Sequence, residues 1–193
     1  MPAETGTGVS WWRRPAVVTA WCVLAAALAV WARGAQPDVL AAVVLAVAGV
    51  LLAVEDFARH RLPNAVMQPT AVALVLLLAV AALLDGAWSG LLRGILAAVV
   101  CGGLYLLLAL ARPTGLGLGD VKLGALLGLW LGWLGWQAVV VGVLAGFVVG
   151  GVVGLALIAV RRADRRSAIA FGPWMLLGAA IATAVPTGTV LPL

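Results

Sequence analysis

The chain has 193 residues, of which 65% are hydrophobic and 10% are charged, and its mean hydropathy is +1.18. Soluble domains carry about 25% charged residues, so this composition excludes an ordinary water-soluble protein and indicates an integral membrane protein. The net charge of +5 does not indicate binding to nucleic acid, because the basic residues lie in short loops between apolar runs, where positive charge reports membrane topology.

Seven apolar runs follow one another along the chain, and runs of this length cross roughly 30 Å of hydrocarbon as helices. Because lipid offers no hydrogen-bond partners to backbone N–H and C=O groups, we predict an all-α, polytopic helix bundle embedded in the lipid bilayer. We expect an N-terminal segment with the first transmembrane helix at 1–37, followed by a six-helix core at 38–193. The helices are predicted at about 16–33, 38–56, 65–84, 90–111, 120–135, 137–160 and 171–190.

The first run could instead be a signal peptide, because Arg13 and Arg14 precede it. Its length and its lack of a small-x-small cleavage site favour a retained helix. The later loops keep their sides of the membrane under either interpretation.

The basic residues indicate which side of the membrane each loop occupies. With seven crossings, only Arg33 and Arg93 fall on one side, and all other basic residues fall on the opposite side. Because cytoplasmic loops carry an excess of Lys and Arg, we expect the N-terminus in the cytoplasm and the C-terminus outside the plasma membrane. The cytoplasmic set is Arg13, Arg14, Arg59, Arg61, Arg112, Lys122, Arg161, Arg162, Arg165 and Arg166.

Glycines recur at every fourth position on the fourth, fifth and sixth runs, with Ala98 in place of a glycine on the fourth. Such ridges let helix backbones approach closely in lipid, where packing drives helix association. We therefore expect these three helices to form a tight core. The positions include Gly90, Gly94 and Gly102, then Gly124, Gly128 and Gly132, then Gly142, Gly146, Gly150 and Gly154.

Asp56 is an acid at the end of the second run, and Leu62, Pro63 and Asn64 follow it. Arg59 lies three residues further on, so we expect it to share the helix face of Asp56 and to offer a charge partner. Pro63 ends any helical continuation, and Asn64 is a candidate cap for the third helix. Asp56 could equally be an ordinary interfacial acid beside basic anchors, since acids at a membrane edge need not be functional.

A second acid, Asp120, opens the fifth run directly after the glycine-rich turn that contains Gly117 and Gly119. Helix-terminal amides stabilise a carboxylate at this position, and Lys122 adds a positive charge close by. A simple acidic helix start would show the same pattern. The turn does not match a phosphate-binding loop, because it lacks the Walker spacing and the GK[ST] ending.

Two crossings separate Asp56 from Asp120, so both acids are expected on the same, cytoplasmic side. If the second and fifth helices pack side by side, the two carboxyl groups meet and share one proton at intermediate pH. The ionised acid can then take a proton from water while the protonated acid polarises a peptide carbonyl. This is the chemistry of an aspartic protease, and it requires no metal.

Other catalytic side chains are scarce. His60 is the only histidine of the sequence, and we interpret it as a solvated loop residue without a catalytic role. Cys22 and Cys101 lie inside apolar runs and form no CxxC pair, so they are expected to be buried small hydrophobic residues. We therefore expect no cofactor.

Three motifs in chain order resemble those of the type IV prepilin peptidases, which are membrane aspartic proteases with a GxGD signature. GxGD alone would also admit presenilin-like proteases, which lack the other two elements. The resemblance covers roughly residues 38–190. The motifs are Asp56 with Leu62-Pro63-Asn64, then Gly117-Leu118-Gly119-Asp120-Val121-Lys122, and finally Phe171-Gly172-Pro173.

The resemblance implies that Asp56 and Asp120 are the catalytic pair and that the other motif residues support them. It also implies substrates of the prepilin type, which have a short basic leader that is removed at the cytoplasmic membrane face, just before a hydrophobic helix. Larger members of the family carry an insert with two CxxC pairs that is associated with N-methylation. This sequence has no such pairs, so it resembles the compact form, and methyltransferase activity is not expected.

A small proton- or cation-coupled transporter is the alternative, because paired acids in a membrane also relay protons or bind cations. An inert assembly scaffold would explain the glycines but not the acids. Both acids lie at one surface, and no run carries a charge at mid-depth, which favours the cleavage of a bound segment. The sequence leaves the oligomeric state open.

Overall fold

The computed structural model describes residues 14–111, 116–159 and 170–185. These ranges contain seven α-helices and no strand, so the all-α prediction is confirmed, and each predicted run corresponds to one helix. The predicted continuation of the seventh helix to residue 190 lies outside the described residues. The helices are α1 (Pro15–Arg33), α2 (Val39–Arg59), α3 (Asn64–Asp85), α4 (Trp88–Ala111), α5 (Leu118–Leu134), α6 (Trp136–Ala159) and α7 (Gly172–Ala184).

Five of these helices, α1 to α4 and α6, are long and apolar enough to cross a membrane, which makes the protein a polytopic membrane bundle. Helices α5 and α7 are shorter, with 17 and 13 residues. At 1.5 Å per residue they reach about 26 Å and about 20 Å. Helix α5 lies at the centre of the bundle, with Trp130 only 2% exposed, so protein rather than lipid covers most of its surface.

Local sequence sets the ends of several helices. Pro15 opens α1, where its missing N–H costs no hydrogen bond. Gly34 and Gly86 end α1 and α3 with positive φ angles of 58° and 68°, which glycine adopts without steric strain. His60 ends α2 at φ 50°, and its N–H donates to the carbonyl of Asp56 at 2.8 Å. The chain therefore turns sharply within four residues of Asp56.

The expected close packing of α4 against α5 is confirmed. A methyl group added at Gly128 would lie 2.6 Å from the carbonyl oxygen of Ala97, and one added at Gly94 would lie 2.8 Å from that of Leu129. Larger side chains at these positions would force the two backbones apart. The glycines thus determine the distance between α4 and α5 and the position of one helix relative to the other along their axes.

Of the glycines of α6, Gly142 packs against α5 as expected, since a methyl group added there would lie 2.6 Å from the Leu131 side chain, but Gly146 packs against α7. Helix α6 makes its main contact with α7. A methyl group added at Gly178 of α7 would clash with the carbonyl oxygen of Gly142, and one added at Gly146 would lie 3.3 Å from that of Trp174. A ridge of small residues specifies a close approach but not its partner, and here the partner is the short seventh helix.

A buried polar cluster joins α1, α2 and α5 at one end of the bundle. Asp38 is 3% exposed and accepts hydrogen bonds from Arg33 Nε at 3.0 Å, from Arg33 Nη2 at 2.7 Å and from Trp133 Nε1 at 2.6 Å. Nearby, Arg93 of α4 donates to the carbonyls of Gly132 and Trp133 at the end of α5. Arg33 and Arg93 are the two basic residues that the topology assigned to the non-cytoplasmic side, and both are held in internal contacts.

Candidate active site

The C-terminal end of α2 and the N-terminal ends of α5 and α7 meet at the end of the bundle opposite the Asp38 cluster. Asp56 lies on the last turn of α2 and is only 5% exposed. Its Oδ2 accepts a hydrogen bond of 3.1 Å from the backbone N–H of Gly172, the first residue of α7. A helix N-terminus presents free N–H groups and a partial positive charge, so α7 stabilises the ionised form of Asp56.

Asp120 lies in the first turn of α5 and is held by its own glycine turn. Its Oδ2 accepts a hydrogen bond of 3.0 Å from the N–H of Gly117, and its own N–H donates to the carbonyl of Gly117 at 3.0 Å. This reciprocal pair fixes the orientation of the carboxyl group. Asp120 is partly buried, so water reaches this acid more readily than it reaches Asp56.

The two acids lie near enough for their charges to repel each other. Gly172 lies between the helices that carry them. A methyl group added there would be 2.8 Å from Asp56 Oδ2 and 3.5 Å from the Leu123 side chain, one turn beyond Asp120. The close approach of α2 and α7 therefore depends on the absence of a side chain at Gly172.

The loop after α2 supports the start of α5. A methyl group added at Gly119 would lie 3.2 Å from the Cβ of Leu62, so the Leu62 side chain packs directly on the glycine turn. Lys122 Nζ donates to Asn64 Oδ1 at 2.9 Å. Pro63 precedes α3, and its carbonyl accepts the N–H groups of the first turn. The Leu-Pro-Asn motif and the GxGDxK motif are thus in direct contact.

Two local expectations are wrong. Arg59 is bound to Glu55, four residues earlier on the same helix, at 3.3 Å rather than to Asp56. Asn64 is the first residue of α3 rather than its cap, and its side chain is bound to Lys122. The Lys122 amine accordingly makes its hydrogen bond with Asn64 and not with Asp120.

The third motif anchors α7 beside Asp56. Phe171 packs in an aromatic cluster, with ring centroids 5.3 Å from Phe147 of α6 and 6.3 Å from Tyr105 of α4. Gly172 and Pro173 are buried in the first turn of α7, where a proline costs no hydrogen bond. The aromatic anchor on one side and the bond to Asp56 on the other determine where α7 begins.

Tyr105 packs beside the candidate site, and the sequence analysis did not single it out. It is 3% exposed, and its phenol group lies within electrostatic reach of Asp120. Its ring fills the space that a side chain on Gly124 would occupy, one turn after Asp120. Two signals in the sequence pointed to it. Tyr105 is the only tyrosine of the chain and lies inside an apolar run, and Gly124 stands four residues after the acid.

Two carboxyl groups, one buried and one partly exposed, can divide the work of hydrolysis between a proton acceptor and a proton donor. The described residues hold no group of three or more His, Cys, Asp or Glu side chains that could bind a metal ion, so we assign no side chain to a metal.

This arrangement defines a helical membrane protein with a pair of carboxyl groups at one end of its bundle. Residues 42–155 match the model of the type IV leader peptidase family, and this segment contains both Asp56 and Asp120 but ends before Phe171. The chain belongs to this family.

Curated relatives carry the name prepilin leader peptidase/N-methyltransferase. The Pseudomonas putida protein is 31% identical over 177 residues, which cover 83% of this chain and 55% of that protein. Proteins of the same name from Aeromonas salmonicida (strain A449) and Aeromonas hydrophila are each 40% identical over 73 residues, which cover 38% of this chain and 24% of those proteins. The chain spans about half the length of the Pseudomonas relative. No solved structure matches it significantly.

Proposed function

We propose that the protein is an aspartic endopeptidase that removes the basic leader from precursors of the type IV prepilin kind. Asp56 and Asp120 are the proposed catalytic residues. The observation that carries the proposal is the position of α7, whose first N–H binds Asp56 and whose first residue has no room for a side chain beside Asp56. Membership of the leader peptidase family supports the same reaction.

The proposed mechanism uses water as the nucleophile. One carboxylate takes a proton from water as its oxygen attacks the peptide carbonyl, and the other carboxyl group donates a hydrogen bond to that carbonyl. A proton then passes to the leaving amine as the C–N bond breaks. Each carboxyl group accepts one backbone N–H, from Gly172 to Asp56 and from Gly117 to Asp120, so either acid can act as the base in the first step while the other acts as the acid.

We further propose that the reaction takes place at the cytoplasmic face of the bacterial inner membrane. Basic residues are abundant in the loops that share a side with both acids, and positive charge marks the cytoplasmic side. The proposed substrates reach this site as membrane proteins whose apolar helix is already in the bilayer. The proposal covers proteolysis alone, and the proposed partners are the precursor and the lipid bilayer.

Replacing each acid tests the proposal. Asp56→Asn and Asp120→Asn should each abolish leader removal from a co-expressed prepilin-like precursor, because either change takes one member from the pair. Asp85→Asn is the matched control, since Asp85 is an exposed acid at the end of α3. Near wild-type cleavage by either site variant would refute the assignment. Proton or cation flux that depends on both acids, without any cleavage, would identify a transporter instead.

A further inference from the structure

An apolar groove of about 350 Å³ lies over α2, between α1 and α7, with α5 at its floor. Small residues line much of it, including Ala46, Ala53 and Ala180. The polar side chains of the lining satisfy each other, since Trp130 Nε1 donates to Thr183 Oγ1 at 2.9 Å and this hydroxyl donates to a backbone carbonyl of α7 at 2.8 Å. The groove therefore offers apolar surface and no free hydrogen-bonding side chain.

The groove follows the helix faces that carry the proposed site. On α2, Leu45 and Gly49 lie within about 20° of Asp56 around the helix axis, at 100° per residue. On α5, Leu127 lies within about 20° of Asp120, and on α7, Thr183 lies within about 20° of Gly172. All four of these residues line the groove. Neither acid lines the groove. On each of α2, α5 and α7, however, the residues that line the groove lie on the same helix face as the residue of the proposed site.

The groove is long and begins close to the acids. Ala53 is three residues before Asp56, a rise of about 4.5 Å along the helix. From Ala53 the α2 lining continues to Ala42, about 16 Å deeper into the bundle. A segment held in the groove would run along the membrane normal, with one end directed at the two carboxyl groups.

We propose that this groove binds the apolar helix of the precursor, directly after the peptide bond that Asp56 and Asp120 hydrolyse. This inference rests on the proposed function. The basic leader does not suit the groove, because its lining carries no charge. An apolar helix does suit it, because small lining residues let two helix backbones approach closely in lipid. A lipid acyl chain would fill the same volume, but its binding requires no alignment with two acids.

Enlarging the lining should weaken substrate binding without changing the chemistry. Ala46→Phe and Ala180→Phe each place a ring in the groove and leave the acids untouched. We expect the KM for a synthetic precursor, with a basic leader and an apolar helix of about 20 residues, to rise about tenfold while kcat stays within about twofold. Ala156→Phe is the control, because Ala156 is exposed on α6 outside the groove and should leave both constants unchanged.

Cross-linking gives an independent measurement. In full-length Asp120→Asn protein lacking Cys22 and Cys101, a cysteine introduced at Ala180 should form a disulfide with cysteines placed along one face of the precursor helix. A cysteine at Ala156 should not. Cross-links to the precursor at Ala156 but not at Ala180 would overturn the inference.

The outcomes separate the inference from the function on which it rests. If wild-type protein fails to cleave the precursor, the proposed function fails. If wild-type protein cleaves it but both groove variants keep a normal KM, the proposed function stands and the groove assignment is wrong. A photoreactive lipid that labels Ala180 while KM is unchanged would identify the groove as a lipid site.

Discussion

The amine of Lys122 donates a hydrogen bond of 2.9 Å to the side-chain oxygen of Asn64, 58 positions earlier in the chain. This bond connects the two motifs around the site, because Asn64 opens α3 and Lys122 lies two residues after Asp120. It gives Lys122 a structural role that its charge alone did not predict. The position of the Asp120 turn therefore depends on the loop that follows Asp56.

Breaking this connection should reduce activity through geometry rather than charge. Lys122→Met and Asn64→Ala should each lower kcat, and the double variant should be no worse than the poorer single variant, because both changes remove one bond. In a double-mutant cycle we expect a coupling of about 1 kcal/mol. The pH dependence of Lys122→Met should keep its shape. A shifted profile would mean that Lys122 acts on Asp120 through its charge, as the sequence first suggested.

Tyr105 should be coupled to Gly124 across the α4–α5 contact. Gly124→Ala forces a methyl group into the Tyr105 ring, so we expect a loss of about 1–3 kcal/mol in unfolding free energy, together with lower activity. A second change, Tyr105→Val, should restore much of this stability by removing the ring. Gly103→Ala is the control, because nothing lies within 4 Å of a methyl group there. Thermal unfolding in detergent measures the three variants, and a failure of Tyr105→Val to rescue would contradict the packing account.

The helices could be predicted from the sequence, and so could the position of both acids at the same end of the bundle, each for a physical reason. Apolar runs of membrane length specify helices, and counting crossings between Asp56 and Asp120 assigns them one end of the bundle. The contact between Lys122 and Asn64 could not be predicted, because a long basic side chain reaches several partners and the tertiary fold selects among them. For the same reason, the glycines of α6 indicated a close neighbour without identifying α7.

The Asp38 cluster should contribute to stability and not to chemistry, because it lies at the end of the bundle opposite the two acids. Trp133→Phe removes the indole N–H that donates to Asp38 at 2.6 Å. A hydrogen bond to a charged group contributes about 1.5–3 kcal/mol, and we expect a loss of that size with unchanged kcat. Trp31→Phe is the control, since Trp31 is 78% exposed. A large fall in kcat for Trp133→Phe in folded protein would show that the cluster acts on the site.

Chelation tests whether the paired acids act without a metal ion. Because the proposed mechanism needs only two carboxyl groups and water, treatment with EDTA followed by buffer exchange should leave the rate of leader removal unchanged. Zinc or magnesium added afterwards should have no effect. Loss of activity with EDTA that either ion restores would contradict the proposed mechanism.

Gly172 provides the sharpest test of the site geometry. Gly172→Ala would place a methyl group 2.8 Å from Asp56 Oδ2, so the carboxyl group must move or α7 must shift. Either response disturbs the bond between the Gly172 N–H and Asp56, and we expect kcat to fall at least about tenfold, a cost of about 1.4 kcal/mol in the barrier. Gly151→Ala, where a methyl group meets nothing within 4 Å, is the matched control. If folded Gly172→Ala protein kept full activity, Asp56 could not be working from the position that α7 gives it.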